Sequence, residues 1–400
     1  GIPPFEDKPY MTVDNHVGSP YQDRVYVAYT EFAADGSAYI WESYSSDYGE
    51  TFSPRQLVSI NAPLLCANTY AQFGVGTPHG SCNENQFANP FTGSDGNLYI
   101  AFNNYNNSVA TASDNHNQIL VAKSIDGGNK FTVTKATDYY DLPDCATYQG
   151  GQDFGRACVP EKGTSSKSYF RATNYPSGAV DPTNPARVIV NVGSYINSFS
   201  NEANGCIPAG VNPATGNDLY TGVKTPGACN NKILQAISTD SGVTFNGTDP
   251  RTMPTVNVPG QAGTDQFWQW TAFTKNGKQA VDYYDRQYGT DETTGFSDVS
   301  LSGSGDLANF VVLRVTSSSN PPPTQFGGVF LGDYNALDAN TDAHPVWMDT
   351  RDPDLFVCPG SGAPANQTGQ PPTICEGGAS NASIANDQDI FTANLPVPSK

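Results

Sequence analysis

An eight-residue pattern, Ser-x-Asp-x-Gly-x-x-Phe, occurs three times in the chain and limits its fold more than any other feature. The copies occupy residues 45–52, 124–131 and 238–245 without gaps. Ser and Asp side chains can hydrogen-bond the backbone of their own turn, and Gly readily adopts a positive φ. The pattern therefore predicts a tight turn between antiparallel strands, with its Phe anchoring the returning strand in the core. We expect its Asp residues to be structural.

Each copy follows a short apolar strand, and a second strand lies upstream. The predicted strand pairs are residues 24–29 with 38–41, 97–102 with 118–122, and 187–192 with 232–236. Two further units, at residues 266–284 and 328–348, lack the turn but keep the strands, and a closing strand is predicted at 389–395. Radial repetition of such meanders protects strand edges. The sequence therefore predicts an all-β, five- or six-bladed β-propeller of four-stranded antiparallel meanders, with residues 1–400 forming a single domain.

The composition agrees with this fold class. The 400 residues include 39 Gly and 30 Pro, which favour turns, and 21 Tyr and 20 Phe, which favour strands. Asp and Glu outnumber Lys and Arg by 39 to 20, which gives a formal net charge of -19. Such a surface repels phosphate backbones and anionic membranes, so we expect no nucleic-acid partner and no membrane insertion. The start at Gly1, without an apolar leader, leads us to expect a mature, processed form.

Eight cysteines fall into four pairs of near neighbours along the sequence. These are Cys66 with Cys82, Cys145 with Cys158, Cys206 with Cys229, and Cys358 with Cys375. Local pairing is the simplest of about 105 disulfide connectivities, and the sequence has no Cys-x-x-Cys spacing of the kind that zinc sites use. The four pairs fall in predicted loop insertions at residues 60–86, 140–170, 198–230 and 357–386. We therefore expect disulfide-stapled insertions in a secreted, extracellular protein.

The three turns resemble the Asp boxes, or bacterial neuraminidase repeats, of the sialidase-like β-propellers, and the resemblance covers about residues 7–395. Short phrases at residues 7–9, 179–185 and 284–286 also resemble secreted bacterial members of that superfamily. The superfamily includes sialidases, xyloglucan-acting hydrolases, sorting receptors and noncatalytic propellers. In its sialidases, three arginines bind the substrate carboxylate, a tyrosine paired with a glutamate is the nucleophile, and an aspartic acid is the general acid/base.

This resemblance implies a set of candidate catalytic residues. They are Asp7 as the acid/base, Tyr284 as the nucleophile with its neighbour Asp285, and Arg171, Arg286 and Arg351 as the carboxylate clamp. Guanidinium groups bind a carboxylate bidentately, which explains the choice of residue type. Alternative interpretations remain for each group: Arg286 and Arg351 pair with neighbouring Asp residues, Tyr284 is a half-buried strand aromatic, and Asp7 forms an exposed turn pair with Lys8. Asp333 is a competing acid.

One short segment has the spacing of a metal site. Asp338, Asn340 and Asp342 place oxygen ligands at alternating positions, like the opening of a calcium-binding loop. Ala343 stands where such loops have Gly, and an Asx-turn is the alternative interpretation. We expect no required cofactor besides this candidate structural calcium.

Two functional hypotheses follow from the sequence. The first is a secreted glycan-acting protein, namely a glycoside hydrolase of the sialidase-like type. The alternative is a noncatalytic extracellular propeller that binds glycans or proteins or builds a structural assembly. The net charge of -19 slows the approach of sialylated or uronate polymers. The charge therefore favours a neutral glycan or a nonenzymatic role.

Overall fold

The structure is a computed structural model that describes residues 4–69, 74–106, 114–149, 155–162, 169–288, 295–321, 331–351, 356–357, 374–375 and 388–400. It is an all-β fold in which antiparallel sheets follow one another along the chain. The first sheet comprises β1 (Phe5–Val13), β2 (Val25–Phe32), β3 (Ala38–Ser45) and β4 (Gln56–Leu57). The second comprises β5 (Asn85–Thr92), β6 (Leu98–Asn104), β7 (Asn117–Ser124) and β8 (Thr132–Tyr139). Both are four-stranded meanders, as predicted.

The third sheet is smaller and carries an insertion. A one-turn helix, α1 (Cys145–Tyr148), and the paired strands β9 (Cys158–Pro160) and β10 (Tyr169–Arg171) precede it. The sheet itself contains β11 (Pro176–Val180) and β12 (Val188–Ser194), then, after the hairpin β13 (Ile207–Val211) and β14 (Asp218–Thr221), β15 (Lys232–Ser238). A fourth strand is reduced to an isolated bridge between Leu234 and Thr255. Pro250 and Pro254 lack the amide hydrogens that a continuous ladder needs.

Two further four-stranded sheets complete the described chain. The fourth comprises β16 (Gln266–Phe273), β17 (Gln279–Asp285), β18 (Asp298–Ser304) and β19 (Val311–Arg314). The fifth comprises β20 (Ala336–Ala339), β21 (Asp342–Asp349), β24 (Asp389–Thr392) and β25 (Leu395–Pro396). Between β21 and β24 the chain forms a separate short pair, β22 (Phe356–Val357) and β23 (Ile374–Cys375). The predicted strand at residues 328–331 lies almost entirely outside the described residues. Among the described residues, the first strand of this sheet is β20.

Neighbouring sheets pack against each other through their first strands. β1 contacts β5, β5 contacts β11, β11 contacts β16, and β16 contacts β20. Every residue of β6, β12 and β17 is buried, because neighbouring sheets cover both faces of these strands. This packing explains the nearly continuous apolar runs in the sequence, which a half-exposed strand would not show. The segments that lead into the first strands consequently meet at one end of the sheets.

The three repeated turns share one hydrogen-bond pattern. In each, the Ser hydroxyl donates to the Asp carboxylate at 2.7–2.8 Å and accepts the Gly amide at 2.8–2.9 Å. The carboxylate also accepts the amide four residues further on, at 2.9 Å. The residue before the Gly has a positive φ in every copy, at Tyr48, Gly127 and Ser241. These Asp residues therefore hold the turns together.

A fourth turn of the same kind connects β18 and β19, although the sequence analysis assigned none to this unit. The Ser304 hydroxyl donates to Asp306 at 3.0 Å, and Asp306 accepts the Asn309 amide at 2.8 Å. The copy was missed because it lacks the Gly and has one residue fewer between Asp306 and Phe310. The expected Phe anchor is confirmed for Phe131, which is buried, but was wrong for Phe52, whose exposed fraction is 49%. Phe310 of the fourth turn is buried as well.

The local disulfide pairing is confirmed for three of the four cysteine pairs. Cys66 is bonded to Cys82, Cys145 to Cys158, and Cys206 to Cys229. The fourth predicted pair includes Cys358, which lies outside the described residues. Such bonds indicate an oxidising environment. Within the described ranges, none of the helices has the length and apolar character required to span a bilayer.

Candidate active site

A cavity of about 390 Å³ lies where the chain enters β1, β5, β11 and β20. Its lining is rich in charged side chains. Five are acids, namely Asp7, Glu84, Asp141, Asp218 and Asp333, and three are bases, namely Lys8, Arg156 and Arg171. The acidic residues come from four different sheets or insertions, so only the folded chain brings them together. Cavities with converging titratable groups are the usual place for binding or catalysis.

Asp141 and Asp218 form a buried carboxyl pair in this cavity. The Asp141 backbone amide donates to Oδ2 of Asp218 at 3.0 Å. Burial raises the pKa of Asp141 to about 6, although hydrogen bonds from the Asn174 amide and the Thr173 hydroxyl oppose the shift. Burial also raises the pKa of Asp218 well above its ordinary value, and the negative charge of Asp141 adds to this effect. Both carboxyl groups therefore hold a proton more readily than an exposed aspartate does.

The Tyr220 hydroxyl contacts both members of the pair. Its oxygen lies 2.6 Å from the Asp141 carbonyl oxygen and 2.9 Å from Oδ2 of Asp218. A tyrosine hydroxyl has one proton, and a carbonyl oxygen can only accept. If the tyrosine donates to the carbonyl, the second contact is satisfied by a protonated Asp218 that donates to the hydroxyl. If the tyrosine donates to Asp218 instead, this hydrogen bond opposes the rise in the pKa of Asp218 that burial causes.

Glu84 is a second carboxyl group that retains its proton easily. It directly precedes β5 and lines the same cavity. Burial raises the pKa of Glu84 to about 8, and the negative charge of Asp35 contributes in the same direction. The cavity therefore combines carboxyl groups of different proton affinity, an arrangement that acid–base catalysis uses.

Lys8 connects the first sheet to the segment before the fifth. It lies at a β-bulge of β1 with φ 55°, and its ammonium group forms an ion pair with Asp333. The ammonium also lies 5.5 Å from the ring centre of Phe87 and 5.7 Å from that of Tyr334. β5 has the same kind of bulge at Phe87, with φ 57°. The bulges turn these side chains towards the cavity, a detail that strand patterns in the sequence do not show.

The structure places Asp7 and Arg171, two of the predicted catalytic residues, in the lining of this cavity. Asp7 accepts the Lys8 backbone amide at 2.8 Å, and its side chain is 43% exposed. Arg171 is the last residue of β10, at the cavity wall. These two residues remain candidates for contact with a substrate.

The other predicted catalytic residues lie outside the cavity lining. Tyr284 is packed among aromatic rings, and its hydroxyl donates to the Met348 carbonyl oxygen at 2.8 Å. Asp285 is fully buried and accepts hydrogen bonds from Gln261, Gln266 and Ser300. A role for Tyr284 as an accessible nucleophile therefore does not fit its position, because a substrate cannot reach a hydroxyl that is buried and bonded to the backbone.

The three predicted clamp arginines do not converge on the cavity. Arg286 is 1% exposed and donates to the Pro160 carbonyl oxygen at 2.9 Å. Arg351 forms an ion pair with Asp349 at 2.7 Å, which is the alternative that the sequence left open for it. Arg171 is thus the single member of the predicted clamp among the residues that line the cavity. The groups that Arg286 and Arg351 bind are main-chain and scaffold atoms.

The predicted calcium ligands lie in the tight hairpin that connects β20 and β21. Asp338 is exposed and paired with His344 in the ladder between β20 and β21, and the Asn340 amide donates to the Asp342 carbonyl oxygen at 3.0 Å. Across the parts of the chain that the structure describes, no three His, Cys, Asp or Glu side chains are grouped to hold a metal ion. Calcium binding at Asp338, Asn340 and Asp342 stays a prediction.

Sequence analysis missed the Asp141–Asp218 pair. One signal was present: the sequence Asp-Tyr-Tyr-Asp occurs twice, at residues 138–141 and 282–285, and only the second copy was considered. No pattern links Asp218 to Asp141, because 77 residues separate them and the hairpin of β13 and β14 lies in an insertion.

Neither the protein-family models nor the curated proteins contain a match to this sequence. Similar solved structures include a protein of unknown function from Dyadobacter fermentans, which is 12% identical and has a TM-score of 0.43. The match covers 87% of this chain and 76% of that protein. They also include an α-L-arabinanase from Penicillium chrysogenum complexed with arabinobiose, which is 11% identical and has a TM-score of 0.42. That match covers 86% of this chain and 76% of the arabinanase. A third is an ulvan lyase, a polysaccharide lyase, which is 9% identical and has a TM-score of 0.41. That match covers 98% of this chain and 71% of the lyase. The resemblance to glycan-active enzymes is distant, and at these values it carries no weight for the activity of this chain.

Proposed function

We propose that this protein is a secreted glycoside hydrolase whose active site is the cavity containing Asp141 and Asp218. The observation that carries the proposal is the buried carboxyl pair itself, in which burial raises the pKa of both members and the charge of Asp141 adds to the shift at Asp218. Glycoside hydrolases use such pairs, one carboxylic acid and one carboxylate on either side of the scissile bond. The three disulfides support secretion.

In the proposed reaction, Asp218 donates its proton to the oxygen of the leaving sugar as the glycosidic bond breaks. Asp141, as a carboxylate, either takes a proton from the water that attacks the anomeric carbon or attacks that carbon itself. In the second course it forms a glycosyl ester, which water then hydrolyses while Asp218 takes the proton of that water. In both cases the products gain the elements of one water molecule, and the acid recovers its proton. The separation of the carboxyl groups relative to the bound sugar decides between the two courses.

We further propose that the five sheets form a five-bladed β-propeller. The contacts between successive first strands support this arrangement, and so does the ion pair from Lys8 to Asp333, since it joins the first sheet to the start of the fifth. Tyr10 of β1 adds an edge-to-face contact with Tyr334, at 4.8 Å between ring centres. A cavity at the entry ends of the first strands is where such an arrangement places loops from every blade.

A neutral glycan is the proposed substrate class. The net charge of the chain is -19, so an anionic polymer meets repulsion on approach. The three-arginine clamp that a sialidase would use is not assembled at the described part of this cavity. Sialidase activity is therefore the less favoured form of the proposal.

Hydrolysis of a panel of neutral aryl glycosides and of an aryl sialoside tests the proposal. We expect turnover of at least one neutral substrate, and a loss of 10²-fold or more in kcat/KM, as an order of magnitude, in Asp218→Asn and in Asp141→Asn. Asp95→Asn, at an exposed turn after β5, is the control for the same chemical change. Absence of turnover of every glycoside by folded protein would overturn the enzyme proposal. If glycan binding persists in that case, the result favours the noncatalytic alternative.

A further inference from the structure

Asp144 lies three residues after Asp141 and is fully buried, yet it is not among the residues that line the cavity. Its carboxylate accepts five hydrogen bonds. The donors are the Thr147 amide at 2.9 Å and hydroxyl at 2.7 Å, the Asn212 amide group at 3.0 Å, the Thr215 hydroxyl at 2.6 Å and the Asn217 amide group at 3.0 Å. Five donors exceed the about four lone-pair sites of an ionised carboxylate, so its capacity to accept hydrogen bonds is fully used.

The donors come from two segments that are distant in sequence. Thr147 belongs to α1, whereas Asn212, Thr215 and Asn217 lie in the loop between β13 and β14. The backbone strengthens the connection, because the Asp144 amide donates to the Asp218 carbonyl oxygen at 2.9 Å. One side of this junction carries Asp141 and the other carries Asp218. Asp144 therefore joins the two segments that hold the carboxyl pair.

The charge of Asp144 matters as well as its shape. Burial alone would raise the pKa of Asp144, but hydrogen bonds from Thr215, Thr147, Asn217 and Asn212 together lower it below its usual value. An asparagine at this position would keep one acceptor oxygen and turn an NH₂ group towards donors. A neutral replacement of nearly equal size would thus loosen the junction without removing volume.

We propose that Asp144 is a positioning residue that fixes the separation of Asp141 and Asp218 and thereby the strength of the repulsion between their carboxyl groups. The repulsion between two carboxyl groups depends on their distance and on the exclusion of water. Where the inference concerns catalysis, it rests on the proposed function. Where it concerns titration of the pair, it is independent of any substrate.

Titration of the full-length protein with selectively ¹³C-labelled aspartate carboxyl groups tests the inference. Loss of a resonance in Asp141→Asn and in Asp218→Asn assigns the two signals. In Asp144→Asn we expect the pKa of Asp218 to fall by about one unit or more, because a looser junction admits water and separates the charges. Asp95→Asn is the control, since this exposed carboxylate also accepts side-chain and backbone bonds, from Asn97, but lies at the far end of β5.

Thr147→Val is a milder second variant. It keeps the side-chain shape and removes only the hydroxyl that donates to Asp144 at 2.7 Å. We expect a smaller shift of the Asp218 titration in the same direction, and this variant decides the question if Asp144→Asn does not fold. An Asp218 titration identical to wild type in the folded variants would overturn the positioning role.

The proposed function and this inference fail in distinguishable ways. A shifted Asp218 titration in a protein that hydrolyses no glycoside supports the positioning role and overturns the enzyme proposal. If the protein hydrolyses a glycoside but Asp144→Asn leaves the Asp218 titration unchanged, the enzyme proposal is supported and the positioning role is overturned. In an active protein, the pH profile of kcat/KM should move with the titration, a change that lowered stability alone would not produce.

Discussion

The backbone amide of Asp141 donates a 3.0 Å hydrogen bond to the Asp218 carboxyl group, 77 residues away in sequence. The bond joins the end of the second sheet to a hairpin inserted in the third. Because the amide approaches the carboxyl oxygen directly, the two acidic residues cannot separate without breaking a buried hydrogen bond. The fold thus imposes the proximity of two groups that repel each other when both are charged.

The pH dependence of glycoside hydrolysis should show the titration of Asp141. Since burial raises the pKa of Asp141 to about 6, kcat/KM should fall about tenfold per unit as pH decreases below that value. The Thr173 hydroxyl donates to Asp141 at 2.6 Å and stabilises its charged form. Thr173→Val should therefore move the acidic limb to higher pH by about half a unit to one unit. An acidic limb at the same pH in wild type and Thr173→Val would contradict the assignment.

Glu42 should make the protein less stable as the pH rises. This residue is fully buried in β3, and burial raises its pKa to about 8 although the charge of Arg24 opposes the shift. A raised folded-state pKa gives a stabilisation that is complete below the unfolded value and is lost as pH rises through the folded value. Between pH 4 and 7, the free energy of unfolding of wild type relative to Glu42→Gln should fall by on the order of 3 kcal/mol.

Urea unfolding at a series of pH values checks this expectation. Glu50→Gln, in the exposed first repeated turn, is the control for replacing a glutamate. A constant difference between wild type and Glu42→Gln across this pH range would show that Glu42 ionises in the folded protein as it does in the unfolded chain.

The elements that could be predicted from sequence depend on local chemistry. The repeated turn was found because Ser, Asp and Gly each bond or bend within eight residues, and three disulfides were found because their cysteines close short loops. The same local reasoning missed the turn at Ser304, which has one residue fewer. Local pattern thus identifies an element well when its hydrogen bonds lie within it.

The candidate site was only partly predictable because its geometry depends on distant segments. Asp7 and Arg171 were predicted and line the cavity, whereas Tyr284 and Arg286 were predicted and are buried among scaffold contacts. Tyr284 lies in β17 and Arg286 directly follows it, and every residue of β17 is buried. A sequence cannot show which side chains of such a strand reach solvent. No sequence pattern marked Asp218 as a site residue, because its proximity to Asp141 depends on how the inserted hairpin of β13 and β14 packs against the end of the second sheet.

The ion pair between Lys8 and Asp333 should contribute to stability by joining the first sheet to the start of the fifth. The side chains are 14% and 30% exposed, so solvent weakens the interaction less than at an open surface. A double-mutant cycle with Lys8→Met and Asp333→Asn should give a coupling of about 1 kcal/mol in urea unfolding. The ion pair of Lys135 with Asp138 lies within β8 and is the matched control, with an expected coupling of about 0.5 kcal/mol or less. Equal couplings in the two cycles would contradict a special role for the Lys8 pair.

The carboxylate of the third repeated turn should stabilise the protein at neutral pH and lose this effect in acid. Hydrogen bonds from the Thr244 hydroxyl and amide and from the Ser238 hydroxyl lower the pKa of Asp240 to about 2. Because the folded pKa lies below the unfolded one, the stabilisation is present above about pH 4 and disappears as pH falls to about 2. Asp240→Ala should therefore lower the Tm at pH 7 by a few degrees, and the deficit should shrink between pH 4 and 2. Calorimetric scans over this range check the result, with Glu6→Ala, at an exposed position of β1, as the control. A deficit that does not change with pH would mean that the turn does not depend on the charge of Asp240.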